Sequence, residues 1–328
     1  MKITMSEGAG GNATAKLISG LFLKYFNSPY LHEMEDAALL PDLGKIAFTT
    51  DSFVVRPLIF KGGDIGRLAV SGTVNDLLTR GAEPKYLTAA FVLEEGLEIG
   101  ILEKIVASLQ KTAMEAGVEV VAGDTKVMEG SGGLIINTAG VGSVACGASL
   151  GARAIEAGDC IILSGRLGEH HAAIVSERMG IDSEITSDAA PLNKMVGTLL
   201  ENGIPVHAMR DVTRGGLATI LNEMAEVSGK EFLIEEEKLP VSEEVRSFAG
   251  ILGLDPLYMG NEGKMAFFLA RDRADDALEL IRKSPYGEYA AAIGTVGDAA
   301  TGGVILHTAI GGRRRLGPLY GEGLPRIC

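Results

Sequence analysis

A helical stripe that stops on a glycine and runs straight into a β-rich segment constrains this chain more than any other feature. Apolar residues fall at Leu102, Ile105, Val106, Leu109, Ala113 and Ala116, which is one face of an α-helix, and Gly117 ends it. Val118-Glu119-Val120-Val121-Ala122 then reads as a strand that terminates at Gly123-Asp124-Thr125-Lys126, with a further strand over 134–137. Helix and strand alternate within one unit, as in an α+β layer where a helix covers a sheet. Upstream, a short β-rich run over 46–51 ends in Asp51. The turn Lys61-Gly62-Gly63-Asp64-Ile65-Gly66 leads into a helical pattern holding Leu68, Ala69, Gly72, Thr73 and Asp76.

The composition over 144–158 shifts to Gly, Ala and Ser, and the pattern restarts at Asp159-Cys160-Ile161-Ile162-Leu163. The second half predicts an amphipathic helix over 217–227 and strands near 265–270 and 304–307, joined by a polar connection at Glu235-Glu236-Glu237. At 328 residues the chain exceeds the size at which a single core stops growing, about 250–300 residues, so two domains are expected. Glycine, at 44 residues, is nearly twice its usual level of about 7 %, which implies many functional turns in a globular protein.

A net charge of −13 disfavours nucleic acid and anionic lipid as partners, and no apolar run approaches the roughly 18 residues of a membrane helix. The N-terminus has no basic segment followed by an apolar one, so no export signal is expected. Cys146, Cys160 and Cys328 form no disulfide framework and no C-x-x-C pair, which points to the reducing cytoplasm.

Four acid-bearing turns stand out: Thr49-Thr50-Asp51-Ser52, Thr73-Val74-Asn75-Asp76, Gly123-Asp124-Thr125-Lys126, and Arg210-Asp211-Val212-Thr213-Arg214-Gly215-Gly216. Each Asp alone reads as a capping or turn residue. Together they suit Mg²⁺, which takes a few carboxylates plus substrate phosphates, with Lys126 balancing phosphate charge. Ser6-Glu7-Gly8-Ala9-Gly10-Gly11-Asn12 enters an apolar helical run and offers backbone N–H groups to a phosphate, although it is neither a Walker loop nor a Rossmann fingerprint. In Tyr258-Met259-Gly260-Asn261-Glu262-Gly263-Lys264, Glu262 is a candidate base, against the plainer reading of a solvated hairpin turn. The five histidines lack metal spacing and read as structural. Arg313-Arg314-Arg315 is either a solvated charge run or a dock for an acidic partner. The ending Pro325-Arg326-Ile327-Cys328 puts a thiol behind a Gly- and Pro-rich stretch. An arm starting near Gly317 spans roughly 40 Å when extended, enough to carry the sulfur into an active site.

These turns resemble the superfamily of aminoimidazole ribonucleotide (AIR) synthetase, selenophosphate synthetase and thiamine-monophosphate kinase. Within it, Phe48-Thr49-Thr50-Asp51-Ser52-Phe53, Gly62-Gly63-Asp64-Ile65-Gly66, Gly72-Thr73-Val74-Asn75-Asp76-Leu77, Arg210-Asp211-Val212-Thr213-Arg214-Gly215-Gly216-Leu217 and the Cys328 ending resemble the carbamoyl dehydratases of [NiFe]-hydrogenase maturation. Glu7, Asn12, Arg56, Lys61 and Ser71 depart from the pattern expected of that family.

The resemblance implies a PurM-like α+β fold of two domains, an N-terminal ATP-binding domain forming a β-barrel at a dimer interface and a second, sandwich-like α+β domain. The implied division is 1–36 for the Gly-rich segment and helix, 37–150 for the ATP-binding and dimerisation domain, 151–312 for the second domain and 313–328 for a flexible tail. It implies ATP and Mg²⁺ as cofactors, with Asp51, Asp76, Asp124 and Asp211 as metal ligands. Nucleotide contacts would come from Gly10, Gly11, Asp51, Asn75, Asp76, Asp124, Thr125, Lys126, Asp211 and Asn261. The implied reaction is ATP-dependent dehydration of a carbamoyl group on the Cys328 sulfur to a thiocyanate, with Glu262 or Lys126 as base. A homodimer is implied, with HypF loading the carbamoyl group and a HypC-HypD complex receiving the product. A small-molecule ATP-dependent synthetase or kinase, and a non-catalytic nucleotide-gated carrier, remain open alternatives on the residues alone.

Overall fold

The computed structural model describes residues 2–8, 11–34, 37–145, 150–299 and 302–320. Short helices α1 (Gly11–Leu17), α2 (Leu23–Phe26) and α3 (Pro29–His32) open the chain, with a π-helical turn between the first two. Strand β1 (Ile46–Phe53), the two-residue strands β2 (Ile59–Phe60) and β3 (Gly63–Asp64), helix α4 (Ile65–Leu78), β4 (Ala82–Glu94), α5 (Ile99–Ala116), β5 (Glu119–Met128) and β6 (Leu134–Val144) follow. The helical stripe is therefore α5, and Gly117 caps it at φ 69°, a left-handed conformation suited to glycine.

These elements build a four-stranded sheet in the order β1-β6-β4-β5, with only the β4/β5 pair parallel because α5 is its crossover. Helices α4 and α5 cover it. They approach so closely that a Cβ on Gly66 would lie 2.4 Å from the Ile105 carbonyl oxygen.

The second half contains β7 (Cys160–Leu163), α6 (Glu169–Met179), α7 (Asn193–Glu201), β8 (Val206–Asp211), α8 (Gly216–Ser228), β9 (Phe232–Glu235), α9 (Glu243–Leu252), β10 (Met265–Leu269), α10 (Ala274–Lys283), β11 (Ala291–Val296), β12 (Val304–His307) and β13 (Arg313–Leu316). Its seven-stranded sheet runs β13-β12-β9-β11-β7-β10-β8. Strands β7 and β10 are buried at every position, which explains their unbroken apolar runs: Ile161, Leu163 and Phe268 face α8, while Ile162, Phe267 and Leu269 face the core shared with α6, α7 and α10. That core continues through Met195 and Val196 of α7 to Leu68 and Val70 of α4 and thereby joins the two sheets.

Two α+β units are present, but among the described residues neither sheet closes into the expected β-barrel. The first sheet is open, with β1 and β5 as its edges and no ladder between them, and the second sheet is open as well. Residues Arg313–Leu316, read from the sequence as the start of a tail, are edge strand β13 paired with β12. The acid-bearing segments also differ from the expected turns. Asp51 sits inside β1, paired opposite Thr138 of β6, and Asp124 and Lys126 lie inside β5, because the ladder with β4 carries that strand on to Met128.

Candidate active-site cleft

A cleft of about 610 Å³ opens between the first sheet and the second. Asp51 reaches it from β1, Asp76 from the last turn of α4, Asp211 from the end of β8, and Glu262 from the loop before β10. His170, Arg210, Arg214 and Glu223 also line it. Five carboxyl groups from distant segments are thus brought to one place.

Local bonds fix several of these groups. The Thr49 hydroxyl donates to Asp76 Oδ2 at 2.9 Å, and Asn137 Nδ2 donates to the Asp51 carbonyl at 2.9 Å. Arg210 is paired with Glu223 at 3.0 Å. Burial pushes the Asp211 carboxyl up to about 6, with the Asp76 charge adding to it. Asp76 is raised too, since burial and the Asp51 charge outweigh the Thr49 bond. Burial, then the charges of Asp188, Asp211 and Asp51, holds Glu262 well above the usual carboxylate range. Crowded carboxylates that resist ionising together are poised for a cation. Among the described residues no three His, Cys, Asp or Glu side chains converge into a ready-made metal cage. Carboxylates that line one cleft without forming a cage fit a magnesium ion, which keeps waters and draws remaining ligands from phosphate.

Behind Glu262 lies a buried ion pair. Lys264 Nζ is 2.9 Å from Asp188 Oδ2, and Asp188 also accepts the backbone N–H groups of Glu262 at 3.1 Å and Gly263 at 3.2 Å. Burial alone would raise Asp188, but the Lys264 ammonium overrides it and holds the carboxyl below its ordinary value. His170 donates to or accepts from Ser187 Oγ at 2.8 Å, and burial drives its pKa down to about 4, so the ring is neutral at physiological pH.

The other expected site residues lie elsewhere. Asp124, Thr125 and Lys126 border a second pocket of about 420 Å³, walled by Phe22, Phe26 and Phe91, with Gly8 at its edge. Gly11 begins α1 beside that pocket's Thr14. Lys126 bonds Asp124 at 3.0 Å, and this contact lowers the Asp124 pKa. Asn75 and Asn261 face neither cavity. Asn75 Nδ2 donates to the Ala190 carbonyl at 3.0 Å while its Oδ1 accepts from Leu192 N at 2.9 Å, and Asn261 Oδ1 accepts from Gly168 N at 2.7 Å. Gly10 and Cys328 lie outside the described residues. Asp188 and Lys264 were not singled out from the sequence; the sole signal was the position of Lys264 two residues after Glu262.

Residues 34–144 match the family model for the N-terminal domain of AIR synthase related proteins, and residues 156–307 match that for the C-terminal domain. The chain is 43 % identical to carbamoyl dehydratase HypE of Rhodobacter capsulatus, over 100 % of this chain and 98 % of the relative. A crystal structure of hydrogenase maturation protein HypE in complex with ATP superposes with a TM-score of 0.95 at 46 % identity, covering 99 % of both chains. A chain from a crystal structure of the HypE-HypF complex superposes with a TM-score of 0.81 at 44 % identity, covering 92 % of this chain and 99 % of that one. No helix among the described residues is long and apolar enough to cross a membrane.

Proposed function

Because this chain belongs to the HypE family of carbamoyl dehydratases within the AIR synthase related proteins, we propose that it dehydrates a carbamoyl group carried on its own Cys328 to a thiocyanate at the expense of ATP, supplying cyanide for [NiFe]-hydrogenase iron. What supports this reading most is the gathering of Asp51, Asp76, Asp211 and Glu262 from four segments around one cleft.

An amide oxygen is a poor leaving group, and moving the γ-phosphoryl of ATP onto it makes a good one. One N–H proton is lost as the C=N bond forms under the phosphorylated oxygen, and the second as the C–O bond breaks and phosphate departs, leaving S–C≡N, ADP and phosphate. Positioning and charge neutralisation are most of what phosphoryl transfer requires. Asp51, Asp76 and Asp211, together with the nucleotide phosphates, would hold a magnesium ion, which would supply charge neutralisation there. Glu262 takes the first nitrogen proton in this scheme, since a carboxylate with a raised pKa is a stronger base than an ordinary one, and the departing phosphate carries away the second. Lys126, exposed on β5, exchanges its Asp124 partner for a phosphate oxygen, while Asp124 and Thr125 add nucleotide contacts from the second pocket and Gly11 adds them from the start of α1.

The path of the last described residues supports delivery of Cys328 to the cleft. Thr219 Oγ1 accepts from Leu319 N at 3.2 Å and Asn222 Nδ2 donates to the Leu316 carbonyl at 3.0 Å, so the chain leaves along α8, whose Ile220 and Glu223 line the cleft. The eight residues beyond Tyr320 reach about 28 Å when extended. HypF loads the carbamoyl group, a HypC-HypD complex receives the product, and the protein works as a cytoplasmic homodimer. The test is Cys328→Ala in the full chain: it abolishes acceptance of the carbamoyl group and leaves ATP affinity intact, whereas a large loss of ATP binding would contradict the reading.

A further inference from the structure

Residues 181–192 have no regular secondary structure, yet they are held along their length by both halves of the molecule. From the first half, Lys61 Nζ donates to the Ser183 carbonyl at 2.7 Å, Ser187 N donates to the Lys61 carbonyl at 2.8 Å, and Arg67 Nε donates to the Ala189 carbonyl at 2.6 Å. Asn75, 2 % exposed, spends both of its side-chain polar atoms on Ala190 and Leu192. From the second half, the Glu262 loop lies directly against the same segment. Both backbone polar groups of Glu262 are bound to it: the N–H to Asp188 at 3.1 Å and the carbonyl to Ala190 N at 3.4 Å. Gly263 N and Lys264 Nζ reach the same Asp188 carboxylate. A Cβ on Gly263 would sit 1.9 Å from the Asp188 carbonyl oxygen, so the contact tolerates only glycine there.

We propose that Asp188 and Asn75 are positioning residues, which through this strap set Glu262 against the cleft carboxylates on the first half. The inference rests on the reading of Glu262 as the base. Asn75 immediately precedes Asp76 on α4, so the helix that presents one cleft carboxylate also grips the segment that presents Glu262. Neither Asn75 nor Asp188 needs to touch nucleotide or carbamoyl group. A base must lie within hydrogen-bond reach of its proton, and a shift of about 1 Å from outside the reacting groups costs about 100-fold in rate.

The test is a double-mutant cycle in the full-length, carbamoylated chain, reading single-turnover dehydration and ATP affinity for the parent, Asp188→Asn, Glu262→Gln and the pair. Asp188→Asn is expected to slow turnover roughly 10- to 100-fold with ATP affinity unchanged, and to cause no further slowing once Glu262 is Gln. Equal slowing in both backgrounds overturns the inference, because Asp188 then acts on something other than Glu262. If Glu262→Gln turns over at the parent rate, the reading of Glu262 as base fails and this inference with it, an outcome distinct from additivity. Should Asp188→Asn not fold, Asn75→Ala removes two strap bonds without stranding a buried charge and enters the same cycle with the same two outcomes.

Discussion

Lys264 Nζ lies 2.9 Å from Asp188 Oδ2, and the two side chains are 6 % and 1 % exposed. A buried pair of this kind contributes little over an apolar replacement of both partners, but losing one partner strands the other charge. Lys264→Met is expected to destabilise the fold by about 3–5 kcal/mol, measured by denaturant unfolding. A loss under about 1 kcal/mol would mean that the backbone N–H groups of Glu262 and Gly263 suffice to hold the Asp188 charge without the ammonium.

Glu262→Gln keeps the shape of the loop and both backbone bonds to the strap while removing the proton acceptor. Turnover of the carbamoylated protein should fall about 10²- to 10⁴-fold with ATP affinity kept. ADP release and nucleotide titration read the two effects separately, and equal losses in both would make Glu262 a binding group instead.

Asp211 ties stability to pH in the ligand-free protein. Its folded pKa of about 6 lies above the unfolded value of about 3.9, so the folded state holds the proton more tightly. The stability this contributes is full below about pH 4 and is lost as pH rises through about 6, on the order of 2–3 kcal/mol. Asp211→Asn should flatten that slope and be more stable than the parent at pH 7.5 in denaturant unfolding without nucleotide. Parallel curves for the two proteins would contradict it.

Some of this was legible from the residues alone. Helix α5 announced itself because its apolar positions follow one face and Gly117 supplies the left-handed cap. Strands β7 and β10 were readable as short unbroken apolar runs because helices cover both faces of their sheet. Asp51 and Asp124 looked like turn residues because Thr, Ser, Gly and Asp are turn-rich locally, and only the ladders to β6 and β4 keep them in strands. The acids could be named as a group, but not their division between two cavities, which depends on how α1–α3 and the two sheets stack. The strap left no trace: it has no periodicity, and its bonds to Asn75 and Glu262 join residues more than 70 positions apart.

The close crossing of α4 and α5 makes a packing prediction. Gly66→Ala would drive a methyl group to 2.4 Å from the Ile105 carbonyl oxygen, and the helices must separate to admit it. The expected cost is about 1–3 kcal/mol in denaturant unfolding. An unchanged midpoint would show that the two helices slide apart freely.

Magnesium removal should stop turnover without unfolding the protein, since the cleft carboxylates sit on β1, α4 and β8, which are held by their own ladders and core. Chelator is expected to abolish ADP formation and leave the thermal midpoint of the nucleotide-free protein unmoved. A fall in that midpoint would assign the ion a structural role.

The decisive measurement is mass spectrometry of the peptide ending in Cys328, taken from carbamoylated protein before and after a single turnover with Mg-ATP. Loss of the mass of one water, matched by one ADP and one phosphate per chain, is the predicted result. Retention of that mass while ATP is consumed would mean that dehydration does not take place on this chain's own thiol.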